Sequence, residues 1–238
     1  MIALGVDHIG SVILSEDKWK DSLVKDTISR VSASAAKSSL IPLFSKQDVI
    51  FRTLDYYRPD IVHFCETLTQ PGGVCETCEK FVTLQENVKK RFPEIQIMRS
   101  IPIAPQGMID FGSILEMIRL FEPASDYFLT DTLLVSNSGN IVDSQPVNNF
   151  VGITGRTCDW DVAAKMVESS GIPVILAGGI SPENVFDGIL HTRPAGVDSC
   201  TRTNALDNKG CGIRFKKDAG RVKHLVAEVR RAKQQLEK

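Results

Sequence analysis

No stretch of this chain is long and apolar enough to cross a bilayer, which takes about 20 consecutive apolar residues. The segment after Met1, Ile-Ala-Leu-Gly-Val, reads as a short strand, not as a basic leader followed by a hydrophobic one. A soluble, cytoplasmic protein is therefore expected. The sequence also lacks an excess of either charge. Its 28 basic residues stand against 29 acidic ones, so no global field draws nucleic acid or anionic lipid, and neither is expected as a partner. Cysteine is sparse for a disulfide scaffold. Six in 238 residues do not resemble the dense framework of a small secreted domain, so free thiols or a metal site are expected before disulfides. Fixed-period repeats, low-complexity tracts and linkers are missing too. A single α/β domain over 1–238 follows, since a chain of this length can support its own core.

What is present is an alternation of short β-branched runs and amphipathic helices. Strands are expected near Ile2–Leu14, Leu40–Phe44, Asp60–Cys65, Ile95–Ile101, Tyr127–Thr132, Val174–Ala177 and Gly196–Ser199. Helices are expected over Asp21–Ala36, Val74–Phe92 and around Val222–Val229, among others. Phe111, Ile114, Leu115 and Ile118 mark another by their i, i+3, i+4, i+7 stripe. Alternation of this kind predicts a parallel sheet, and the length favours a TIM-type (β/α) barrel over an open sheet.

The segment Val174–Asn184, VILAGGISPEN, carries the first functional signal. An apolar run without polar alternation suits a parallel strand covered on both faces. Gly178 and Gly179 follow it, then Ser181 as an expected N-cap and Pro182 at the first helical position. A glycine pair between a strand's end and a helix either makes a tight turn at positive φ or lets backbone N–H groups approach an anion, usually phosphate.

Asp131 in FLTDT, GITGRTCDW at 152–160, LAGGISPENV at 176–185, GVDS at 196–199 and FKKD at 215–218 together resemble phosphoribosylanthranilate isomerase, in that family's order and at similar spacing. The resemblance is specific over 126–218 and weaker, but in register, back to about residue 5. It implies a TIM barrel that binds a phosphorylated small molecule, with no cofactor, and Asp131 as the general acid of an Amadori rearrangement. It also implies a phosphate site in three loops, with Gly152, Thr154 and Gly155 in the first. Gly178 and Gly179 belong to the second, and Ser199 and Cys200 begin the third.

Departures from the family are equally informative. GVDHIGSVI aligns with the family's second strand, so the first βα unit, which bears the catalytic cysteine, has no counterpart. An incomplete barrel of seven parallel strands is the expectation, closed as seven, by a segment such as Asn140–Val142, or by a second copy. A homodimer joined near the N-terminal strand and the last strand is the favoured repair, because a gap would expose apolar core. The general base is missing with that cysteine, although the rearrangement needs both an acid and a base. The family's basic contact for the anthranilate carboxylate is also missing, unless Lys18 or Lys20 serves. Arg202 replaces a glycine of the third loop and could take over as a bidentate anion ligand.

His63 and Cys65 share one face of a strand. With Arg99 from the next strand they could meet Asp131 around one ligand, Cys65 or His63 serving as the base if Arg99 lowers the thiol's pKa. Both could equally be core residues. Cys75 and Cys78 have the two-residue gap of a metal half-site, and with His63 and Cys65 would make four soft ligands. A thiol pair without metal is the alternative, and no metal is the expectation. The sequence as a whole points to isomerase-like chemistry on a phosphosugar with an altered substrate end. Authentic phosphoribosylanthranilate isomerase with a substitute base, or a non-catalytic phosphate-binding barrel, are the other readings.

Overall fold

The computed structural model of the protein describes residues 1–70, 73–105, 111–134 and 148–238. Elements follow in the order β1 (His8–Ile13), α1 (Ser22–Ser32), β2 (Lys37–Pro42), α2 (Gln47–Tyr57) and β3 (Ile61–Phe64). A short antiparallel pair, β4 (Thr69–Gln70) and β5 (Gly73–Val74), leads into α3 (Cys78–Arg91), β6 (Gln96–Ile103) and α4 (Phe111–Phe121). The series continues with β7 (Tyr127–Thr132), α5 (Trp160–Ser169), β8 (Val174–Leu176), α6 (Val185–Thr192) and β9 (Gly196–Val197). A hairpin of β10 (Asn204–Leu206) and β11 (Gly212–Lys217) precedes the closing helix α7 (Ala219–Leu236). Asp21, Asp159 and Asp218 cap α1, α5 and α7, each accepting from backbone N–H groups of the first turn and satisfying donors that would otherwise be orphaned.

Seven strands form one parallel sheet in the order β1-β2-β3-β6-β7-β8-β9. The sheet curls into a TIM-type half-barrel. His8 on β1 packs edge-on against Tyr127 on β7, with ring centroids 6.1 Å apart, although four strand steps separate them in the sheet. Alternation along the strands divides the core in two. Ile61, Met98, Leu129 and Ala177 pack together inside the curl, while Val62, Phe64, Ile97, Ile101 and Phe128 face the helices. The strand run is parallel, as the alternation predicts.

β1 and β9 are the edges and are not hydrogen-bonded to each other. Closure as a seven-stranded barrel therefore does not occur, and Asn140–Val142 lies outside the described residues. No helix among the described residues is long and apolar enough to cross a membrane.

Two local expectations are corrected. α6 starts at Val185, after Ser181, Pro182 and Glu183, which form a turn. Ser181 N–H donates to Asn184 Oδ1 at 2.8 Å and Glu183 N–H donates to Ser181 Oγ at 3.2 Å, the reciprocal bonds of a capping box, and the Val185 N–H donates to the Ser181 carbonyl at 3.0 Å, so Ser181 caps the turn that leads into α6. The β10–β11 hairpin stands between the last expected strand and the closing helix, a stretch for which no element was expected, with Gly210 at φ 78° in its turn.

Candidate active site

Three loops meet at the C-terminal ends of β7, β8 and β9. A narrow cleft between them is lined by Asp131, Thr154, Gly155, Gly178, Gly179, Asp198, Cys200 and Arg202, with Ile153, Ala177, Ile180 and Thr201 completing its wall. A wider groove of about 620 Å3 shares Gly179 and Arg202 with it and adds Arg156, Thr157, Ser181 and Asn184.

The glycines are required by contact. Gly178 and Gly179 have φ of 88° and 62°, and a Cβ on Gly179 would stand 2.5 Å from the carbonyl carbon of Arg156 and 2.6 Å from the nitrogen of Thr157. A Cβ on Gly178 would stand 2.5 Å from Thr132 Oγ1. The first loop thus lies backbone against backbone on the second turn, a proximity that a side chain would prevent. Gly152, at φ 101°, lies directly against Oδ2 of Asp131.

Further hydrogen bonds fix the loops. Thr132 Oγ1 donates to the Arg156 carbonyl at 2.6 Å, and Asn184 Nδ2 donates to the Gly179 carbonyl at 3.1 Å. Arg202 Nε donates to the Gly155 carbonyl at 2.9 Å, so the third loop holds the first while the guanidinium borders both the cleft and the groove. Lys217 Nζ donates to the carbonyls of Ser199 and Cys200 and, at 3.0 Å, to Thr203 Oγ1. That lysine, on the hairpin the sequence did not reveal, organises the third loop. Ser199 turns its hydroxyl away to the Ile180 carbonyl at 2.6 Å, so its position in the loop is structural.

Asp131 ends β7 with its carboxyl in the cleft. Burial pushes its pKa from the ordinary 3.8 up to about 7, and Asp198 raises it further, against the lowering effect of the Thr132 N–H, which donates to Oδ1 at 2.8 Å. A carboxyl held near neutrality is protonated where an ordinary aspartate is not, the condition for general acid work.

The other proposed ligands are placed differently. Arg99 points away from the cleft, into the helix layer. It is fully buried, donates to Gln85 Oε1 at 2.6 Å and to Glu66, and lies over the rings of Phe64, Phe81 and Phe121. Its guanidinium pairs with Glu66 on the side away from the cleft that Asp131 lines, and its Nη2 has no hydrogen-bond partner among the described residues. Strand parity explains this: Arg99 is in phase with Ile97 and Ile101, which face outward, while Met98 faces inward.

His63 and Cys65 do face inward. His63 Nε2 is 2.8 Å from Ser100 Oγ, and burial with the Arg99 charge lowers its pKa to about 3. Cys65 packs with Leu43, Leu133 and Val151. Burial pushes its thiol pKa well up, with Glu66 and Asp131 adding to the rise. The condition for a thiolate base, a pKa lowered by Arg99, is not met, because burial outweighs the lowering effect of Arg99.

Cys75 and Cys78 lie apart from the cleft, where Cys75 Sγ is 2.8 Å from Thr77 Oγ1 and Cys78 packs in the outer core. Among the described residues no group of three or more His, Cys, Asp or Glu side chains could hold a metal ion. Lys20 lies over the rings of Trp19 and Tyr56, among helix-side residues.

A curled parallel sheet with three loops converging at the C-terminal ends of its strands has the architecture of a TIM-type (β/α) barrel. Comparison with known proteins shows what part of the chain is similar to a described family. Residues 111–201 match the family described as N-(5'phosphoribosyl)anthranilate (PRA) isomerase. N-(5'-phosphoribosyl)anthranilate isomerase 2 of Methanosarcina mazei is 34% identical over 113 residues, 48% of this chain and 42% of the relative. The isomerase of Methanocella arvoryzae is 30% identical over 145 residues, 61% and 55% of the two chains. The matched part thus spans about half the length of these curated relatives. Among solved structures, phosphoribosyl anthranilate isomerase from Thermotoga maritima superposes with a TM-score of 0.65 at 16% identity, covering 96% of this chain and 90% of that one. The Pyrococcus furiosus isomerase gives 0.62 at 18%, covering 94% and 88%. The chain resembles this family in sequence over its later half and in fold over nearly its whole described length.

Proposed function

We propose that the protein catalyses an intramolecular isomerisation of a phosphorylated aminosugar, an Amadori rearrangement of the phosphoribosylanthranilate type. The observation that carries this is Asp131, held near neutrality in a cleft whose walls are the glycine turns of three strand-end loops. The substrate phosphate sits between the Gly152–Gly155 loop and the Gly178–Gly179 turn, where backbone at positive φ leaves N–H groups accessible to an anion, and Arg202 supplies the charge. Gly152, Thr154, Gly155, Gly178 and Gly179 position the ligand. Asp131 donates its proton to the ring oxygen as the ring opens.

The protein acts as a homodimer in this proposal. β1 is an edge strand with no strand partner on its outer side among the described residues, and Ile2 and Leu14 beside it are 42% and 53% exposed. An uncovered edge flanked by apolar side chains is a surface on which a second copy adds. Incubation of the purified protein with phosphoribosylanthranilate tests the assignment. Conversion to the rearranged ketose is expected, and binding without conversion would leave a ligand-binding barrel instead.

A further inference from the structure

We propose that Asp198 is the general base that works opposite Asp131, so that two aspartates across one strand form the acid–base pair of the cleft. This rests on the isomerase reading given above. Both side chains line the same cleft, and the sheet register aligns them. Leu129 pairs with Ile175, so two residues further Asp131 stands opposite Ala177. Ile175 pairs with Gly196, so two residues further Ala177 stands opposite Asp198. The Asp198 N–H donates to the Leu176 carbonyl at 2.9 Å, the bond that a parallel ladder makes at that position. Asp131 and Asp198 therefore sit in one row, on the inward face, two strand spacings or about 10 Å apart at Cα.

Their surroundings separate their roles. Asp198 is exposed to solvent and is faced by Lys217 from β11 and His8 from β1, both of which favour its charged form against the raising effect of desolvation within the cleft. Asp131 is faced by Asp198 and by the neutral thiols of Cys65, Cys158 and Cys200, whose pKa values burial raises; no cation figures among the causes of its shift. Lys217 and His8 favour a charged Asp198, and a charge there helps Asp131 keep its proton. Two carboxyl groups of one cleft, one faced by cations and the other by none, can divide the work of base and acid.

The reaction balances with these two groups alone. Asp131 gives its proton to the ring oxygen as the C1–O bond breaks and the amine lone pair forms the C1=N bond. Asp198 takes the C2 proton, and the C–H electron pair forms C1=C2 while the nitrogen recovers its lone pair. Asp198 then returns that proton to C1, and the enol hydroxyl at C2 passes its proton to Asp131, which leaves a ketone and both carboxyl groups as they began.

The test is Asp198→Asn assayed beside the wild type on phosphoribosylanthranilate across pH. A fall in kcat of about 100-fold or more is expected, with KM within about threefold and the acid limb of the pH profile lost. The wild type is expected to lose activity as pH rises through about 7, where Asp131 ionises. An active wild type beside a variant of equal kcat would remove Asp198 from the mechanism and leave the isomerase reading standing. An inactive wild type would overturn both. If the asparagine variant does not fold, Asp198→Ala with added formate replaces it. Rescue of kcat by formate supports the base, and a folded variant indifferent to formate would assign Asp198 a structural role and overturn the proposal.

Discussion

Arg99 shows what a single residue's setting does to its chemistry. Its charge is fully buried and compensated by Glu66, so removing it strands a carboxylate in the core, a loss of about 3–5 kcal/mol for pairs of this kind. Arg99→Met is therefore expected to lower the unfolding midpoint steeply while the folded fraction binds inorganic phosphate unchanged. Weaker phosphate binding at undiminished stability would return Arg99 to the site. His63 and Asp131 make opposite contributions to the pH dependence of stability. The histidine's pKa falls from 6.5 to about 3, so its stabilising effect is present above 6.5 and lost as pH drops toward 3. The aspartate's pKa rises from 3.8 to about 7, so its effect is present below 3.8 and lost as pH rises through 7. His63→Gln should thus flatten the acid side of a thermal-unfolding curve measured against pH, and Asp131→Asn should gain stability on the alkaline side. The reverse pattern would show that these groups are not buried as described. Asp131 was legible because its motif fixes it at a strand's end. Arg99 was not, since a parallel strand is apolar on both faces and its parity cannot be read without a partner strand.

At the level of elements, the strand–glycine–turn unit at Val174–Asn184 was legible, because an apolar run broken by two glycines has few alternatives. The start of its helix was not. Ser181 and Asn184 make the hydrogen bonds of an N-cap pattern, yet the residues between them form a turn and regular helix begins only at Val185. The β10–β11 hairpin was missed because its strands are exposed and irregular, with a register shift between Asn204 and Leu206 and Phe215 at φ 62°, so no period-2 pattern survives. Lys217, and with it the order of the third loop, was hidden for the same reason. Gly179→Val tests the loop packing directly. Its Cβ would meet Arg156 and Thr157 backbone at a positive φ, so lower stability and phosphate binding weakened at least about tenfold are expected. A variant that keeps wild-type phosphate affinity would place the anion elsewhere.

For the molecule as a whole, the alternation of elements foretold a parallel (β/α) sheet, and the structure has one. How the curl ends was beyond the sequence, because strand pairing at an edge depends on what approaches it in space. The sheet's two edges are not hydrogen-bonded to each other, and sedimentation at micromolar concentration is expected to show a dimer joined along the β1 edge, dissociated by Val12→Pro, because Asp7 and Ile13 turn their carbonyls to β2 and residue 12 therefore faces the outer side. A monomer throughout would mean that the edge is tolerated without a partner.

The central claim is that this half-barrel separates phosphate holding, in its loops, from proton transfer, at Asp131. The direct test is Asp131→Asn, with kcat and ligand affinity measured on the same preparation. A fall in kcat of about 100-fold or more is expected, with the Kd for inorganic phosphate within about twofold. Wild-type turnover in that variant, or a loss of phosphate affinity equal to the loss of rate, would contradict it.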